Sequence, residues 1–207
     1  STLLKGTVAG LERLRKTSVN MDCVIVVGAP LKRGASVYDC AVVISQGKYL
    51  GVVPKLYNTA TEKRWFNCGA ECVSGYIKIG NEDVAFGRDL IFVQGDVKIA
   101  IEIGEDLFAP ISPSVIASIN GANVILNLSA SSDAMGKYDS LRKTIESVSE
   151  KCKAGYVYTS AGYGESTTDF VYSGKTIVVE NGAILAEGER FSLNGSVSIA
   201  DVDVECI

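Results

Sequence analysis

Leu3, Leu4, Val8, Leu11 and Leu14 recur at helical spacing, which predicts an amphipathic helix ending near Lys16. Residues 23–28 form a continuous apolar run closed by Gly28-Ala29-Pro30, the pattern of a buried strand. Residues 37–45 and 49–54 flank Gln46-Gly47-Lys48 and predict a β-hairpin. Two further strands, 89–93 and 97–103, lie around Gln94-Gly95-Asp96. Residues 113–122 predict a short helix with proline in its first turn, where the missing N–H does no harm. A buried strand follows at 123–128. Leu141, Ile145, Val148 and Cys152 then mark a helix that Gly155 stops. Residues 156–160 read as a strand, and 171–179 with 183–186 as a hairpin across Asn181-Gly182, where both residues tolerate positive φ.

The segment from Val37-Tyr38 to Gln46-Gly47 resembles that from Val171-Tyr172 to Asn181-Gly182, each a hairpin after a buried strand. That weak repeat suggests two α/β halves. No proline-rich linker divides them, so the expectation is one mixed-sheet α/β domain over residues 1–207.

Composition narrows the function classes. A chain of 207 residues that is 47% hydrophobic buries one substantial core. A net charge of −4, with no basic stripe, argues against nucleic acid and membrane surfaces as partners. The apolar runs are too short to span a bilayer. No signal peptide opens the chain, and six scattered cysteines read as reduced thiols, so the expected location is cytoplasmic.

The chain has no histidine, which excludes Ser-His-Asp and Cys-His catalysis and histidine-ligated zinc. Cys68 and Cys72 lack a second pair and read as structural, not as metal ligands. Ser173-Gly174-Lys175-Thr176 mimics the tail of a phosphate-binding loop. Asp169 stands where that loop needs glycine, so the start of a hairpin strand is the better reading. Gly162-Tyr163-Gly164 reads as a turn. What remains is a set of polar clusters at strand ends: Lys55; Glu105 and Asp106; residues 129–132; and residues 165–169. Each alone is a surface lysine or a helix cap, but four together suggest a shared polar crevice.

Those clusters carry a resemblance. Gly51-Val52-Val53-Pro54-Lys55, Arg64-Trp65-Phe66, the run from Ile101 to Phe108, Leu126-Asn127-Leu128-Ser129-Ala130-Ser131, Ser160-Ala161-Gly162 and the run from Gly164 to Asp169 resemble the glutaminase domain of glutamine-dependent NAD synthetase. Glu180-Asn181-Gly182 and Asp201-Val202-Asp203-Val204 fit that domain's closing strands. The domain lies in the nitrilase, or carbon–nitrogen hydrolase, superfamily.

The resemblance implies an α-β-β-α sandwich and a Glu-Lys-Cys triad. The cysteine attacks the side-chain amide of glutamine, the glutamate relays protons, and the lysine stabilises the oxyanion. It makes Lys55 the oxyanion lysine and Glu62 the accessory glutamate. Glu105, Phe108 and Ser131 would line the glutamine pocket, with the Glu105 N–H completing the oxyanion hole. Glutamine is the implied substrate and a synthetase domain or subunit the implied partner. No cofactor is expected in this domain, because ATP and nicotinic acid adenine dinucleotide would bind the synthetase domain. Homo-oligomers are expected.

Departures from the pattern are also legible. Gly104 occupies the nucleophile's place, and glycine has no atom that can attack. The family's proton-relay glutamate belongs upstream of the segment resembling residues 1–14, and the synthetase domain belongs downstream. The stretch between Lys55 and Arg64 is short and lacks the family's proline-containing loop. The expectation is a fragment, truncated homologue or degenerate copy lacking the amino-terminal strand and helix and impaired in catalysis.

Overall fold

The computed structural model describes residues 2–207, which divide into two compact units, residues 2–90 and 91–207. In the first unit, helix α1 (Thr2–Thr17) precedes a five-stranded sheet of order β1-β2-β3-β5-β4. Its strands are β1 (Ile25–Arg33), β2 (Ser36–Ser45), β3 (Lys48–Pro54), β4 (Gly75–Ile79) and β5 (Glu82–Phe86). The second unit has a six-stranded sheet of order β11-β10-β9-β8-β7-β6. It comprises β6 (Ile91–Gln94), β7 (Val97–Ile103), β8 (Val124–Ser129), β9 (Gly155–Ser160), β10 (Thr176–Glu180) and β11 (Ala183–Glu187). Two helices, α2 (Pro113–Ile119) and α3 (Lys137–Cys152), belong to this unit. Both sheets are mixed, since β3–β5, β7–β8 and β8–β9 are parallel while the other pairs are antiparallel.

The expected helix at the amino terminus forms, but only part of its apolar stripe is used. Leu11 is buried and Val8 packs on the first unit's core, whereas Leu3 is 70% exposed. The predicted first strand is longer than its apolar run. Gly28-Ala29-Pro30 continues it instead of closing it, and Pro30 sits opposite Asp39 within the β1–β2 ladder. The proline is tolerated because β1 lies at the sheet's edge. The β4–β5 hairpin was not expected, although Ile77, Ile79, Val84 and Phe86 alternate with exposed Tyr76, Lys78 and Asp83.

Both predicted Gly-containing hairpins form, and Asn181-Gly182 has the positive φ expected of it. Gln46 and Gly47 have φ of 46° and 76°, and Asn181 and Gly182 have 45° and 85°. Each hairpin also carries one register shift, at Val43/Ile44 and Val178/Val179. The expected strand over 171–179 begins only at Thr176. Residues 171–175 are spoken for by other backbone: Asp133 N–H donates to Val171 O, Phe191 N–H to Ser173 O and Gly174 N–H to Ala161 O. Gly174, at φ +69°, also breaks the extended run. Helix α2 ends at Ile119, three residues before its predicted end, and residues 201–204 form no strand.

Packing in the second unit places its polar strand ends. Parallel β7, β8 and β9 run in close register, Ile103 opposite Leu128 and Ser129 opposite Ser160, so their carboxyl ends lie side by side. Ile125, Tyr156, Ile177 and Val179 form a core with Leu141 and Ile145 of α3.

Candidate functional site

Lys55 follows β3, and its N–H extends the β2–β3 ladder by one rung, donating to Asp39 O at 2.8 Å. Its side chain is buried and its Nζ donates to Glu62 Oε1 at 2.6 Å. Glu62 opens the 3₁₀ turn Glu62–Arg64, and Thr59-Ala60-Thr61-Glu62 forms a capping box. In it the Thr59 N–H donates to Glu62 Oε2 at 2.7 Å, while the Glu62 N–H faces Thr59 Oγ1 at 3.4 Å. One carboxylate oxygen therefore fixes the turn and the other holds the lysine. Burial pushes the Glu62 carboxyl upward, but hydrogen bonds from Lys55 and the Thr59 N–H outweigh it and leave it below the usual value. Asp39 goes the other way: burial raises its carboxyl above the ordinary range, against the pull of Lys55 and with the repulsion of Glu62.

In the second unit Gly104 begins a 3₁₀ turn (Gly104–Phe108) directly after β7, buried and at φ +54°. Glu105 Oε1 accepts from Ser131 Oγ at 3.2 Å and lies 3.9 Å from Lys137 Nζ. Ser131 is itself fixed, its N–H donating to Ser129 Oγ at 3.1 Å. Phe108 closes the turn and is 44% exposed. The structure thus pairs Lys55 with Glu62 and Glu105 with Ser131, while Phe108 joins neither pair. Glu165 is exposed in the short turn Tyr163–Glu165.

Several residues at these strand ends were given no site role from the sequence. Lys175 is buried, with its Nζ 3.6 Å from Asp133 Oδ1, and Arg190 approaches Asp133 Oδ2 at 3.5 Å. Burial draws the Lys175 ammonium below the ordinary lysine value against the pull of Asp133. Burial lifts Asp133 as well, but the neighbouring Ser173 hydroxyl, Lys175, the Ala134 N–H and Arg190 hold it below the usual range. A lysine inside a phosphate-loop mimic reads as surface or strand, and only its placement reveals the ion pair. Glu102 and Asn127, by contrast, interrupt apolar strands and could have been noticed as polar residues at buried positions.

No protein-family model matches the chain. Relatives do. The chain is 43% identical along its entire length to the glutamine-dependent NAD(+) synthetase of Mycobacterium tuberculosis. It is a homologue of the glutamine-dependent NAD(+) synthetases. It spans 31% of the length of the mycobacterial relative. The human glutamine-dependent NAD(+) synthetase is 28% identical over 94% of this chain and 29% of its own length.

The crystal structure of an NAD(+) synthetase of this kind from Cytophaga hutchinsonii superposes with a TM-score of 0.82 at 22% identity, covering 95% of this chain and 33% of that one. A carbon–nitrogen hydrolase from Helicobacter pylori G27 gives 0.75 at 16% identity, over 99% of this chain and 70% of that one. An amidase from Nesterenkonia sp. AN1, bearing an acetamide moiety on its active site cysteine, gives 0.74 at 17%, over 98% and 70%. The fold is that of the nitrilase superfamily, and the chain matches the nitrilase-like, glutaminase domain of NAD synthetase. Among the described residues, no helix is long and apolar enough to cross a membrane, and no cluster of acidic and cysteine side chains is grouped to hold a metal ion.

Proposed function

We propose that residues 1–207 are the glutamine-hydrolysing part of an NAD synthetase in which the hydrolytic step has lost its nucleophile. The 43% identity of the whole of this chain to part of the mycobacterial synthetase carries this reading. In the family pattern the ammonia freed from glutamine serves ATP-dependent amidation of nicotinic acid adenine dinucleotide in the synthetase domain. Lys55, held by Glu62, would supply the fixed positive charge for a developing oxyanion. Glu105, with Ser131 on its carboxylate, and Phe108 would receive the glutamine. Position 104 is where a thiol would attack the amide carbon, form a thioester and release ammonia, and glycine has no atom for that step.

The same glycine favours one second reading, a non-catalytic assembly or regulatory module of a homo-oligomeric synthetase. The test is ammonia release from glutamine by the purified chain and by its Gly104→Cys variant. The expected result is none from the parent and a glutamine-dependent acyl adduct on the variant, found by intact mass. Steady release by the parent, abolished by Lys55→Ala, would require a different nucleophile and overturn the impaired-enzyme reading. An unmodified Gly104→Cys variant that is folded and oligomeric would favour the assembly module.

A further inference from the structure

The backbone of Gly104 is clamped by a side chain that comes from another strand. The Gly104 N–H donates to Asn127 Oδ1 at 3.0 Å, and Asn127 Nδ2 points back to Gly104 O at 3.3 Å. One carboxamide therefore holds both peptide groups of one residue. Its orientation is fixed in turn. Asn127 Nδ2 donates to Tyr156 Oη at 2.9 Å and lies 3.3 Å from Glu102 Oε1. The Tyr156 hydroxyl donates to that same Glu102 oxygen at 2.5 Å. The second oxygen, Glu102 Oε2, accepts the Ser114 N–H at the start of α2 at 3.0 Å. Glu102, Asn127 and Tyr156 are each no more than 1% exposed.

This arrangement is more than a satisfied core. Asn127 needs its amide one way round, oxygen toward an N–H and nitrogen toward three acceptors, and a carboxylate in its place would face the Glu102 carboxyl and the Gly104 carbonyl with acceptors only. An apolar pair at 102 and 127 would fill the same strands without these desolvation costs. What the network adds is a defined backbone at residue 104, held at φ +54° where a side chain would be strained.

Resting on the reading of position 104 as the nucleophile's place, we infer that Asn127 is a positioning residue. It sets the peptide groups of residue 104, and Glu102 and Tyr156 fix which way its amide faces. A thiol at 104 would then be aimed by Asn127 and not by its own rotamer alone.

The experiment uses the whole chain. Alkylation of position 104 by iodoacetamide is followed against pH by peptide mass spectrometry in Gly104→Cys, and in that background with Asn127→Asp, Tyr156→Phe or Ser149→Ala. Ser149 is a buried control in the same unit, bonded to Ala154 O and to the Gly182 N–H. Asn127→Asp is expected to move the inflection by about one pH unit, Tyr156→Phe by less in the same direction, and Ser149→Ala not at all. Superimposable profiles for the Asn127→Asp and parent backgrounds would overturn the inference.

If Asn127→Asp fails to fold, hydrogen exchange at the Gly104 amide decides. It should be about tenfold faster in Tyr156→Phe than in the unaltered chain and unchanged in Ser149→Ala. Equal exchange in all three would sink the idea. Glutamine protection of the thiol is scored separately: its failure counts against the glutaminase reading, while the profile shift reports on Asn127 alone.

Discussion

Backbone at φ +54° favours a residue without a Cβ, and Gly104 is such a residue at the end of β7. Gly104→Ala is therefore expected to lower stability by about 1 kcal/mol in urea denaturation, and an unchanged midpoint would show that the turn relaxes freely. Around Lys55 the two neighbouring acids make opposite predictions. Glu62 has a folded pKa below its unfolded one, so its contribution is complete above about pH 4.3 and is lost as pH falls through the folded value. Glu62→Gln should thus destabilise at pH 7, with the difference from the parent shrinking in acid. Asp39 has a folded pKa above its unfolded one, so the folded state holds the extra proton and stability falls as pH rises through that window. Asp39→Asn should accordingly stabilise at pH 7 and lose its advantage in acid. Thermal melts of both variants across pH 3–8 check the two signs together, and parallel shifts would contradict them.

At the scale of elements, the β4–β5 hairpin has a clear sequence signature: alternating apolar residues around Gly80-Asn81, with Gly80 at φ +60°. Its register decides what each side chain does. Phe86 is buried against Tyr38, edge to face with ring centres 5.4 Å apart, and under the Arg33 guanidinium 4.7 Å from its ring centre. Tyr76, on the partner strand, is 69% exposed. Phe86→Ala should cost about 3–5 kcal/mol, whereas Tyr76→Ala should stay within about 0.5 kcal/mol. Comparable losses by chemical denaturation would mean that the register is wrong, because a one-residue slip exchanges the faces. The capping box at Thr59 is a second element legible in sequence, as Thr-x-x-Glu, but the sequence alone does not reveal that its glutamate also holds Lys55.

Over the whole molecule, thiol accessibility measures opening. Cys40 is completely buried on β2, and burial pushes its thiol well above the usual value, while Cys23 is exposed. Native-state alkylation of Cys40 should be at least about 100-fold slower than that of Cys23 and should follow unfolding of the first unit. Similar rates would point to a loose first sheet. The amino-acid order sufficed for the period of most helices and strands, for the place of two hairpin turns and for the homology to NAD synthetases. It did so because side-chain alternation, glycine's missing Cβ and ordered motifs are local properties of the chain. Tertiary structure alone decided which polar residues meet. Glu102, Asn127 and Tyr156 are 25, 29 and 54 residues apart in their pairwise contacts, and they meet because parallel β7, β8 and β9 lie side by side. Lys175 meets Asp133 where β10 begins: its O still accepts the Ser160 N–H of β9, while the Asp133 N–H donates to Val171 O just upstream. Periodicity tells a strand which face to bury, but a hydrogen-bond partner is chosen by strand order and by the crossovers that set it.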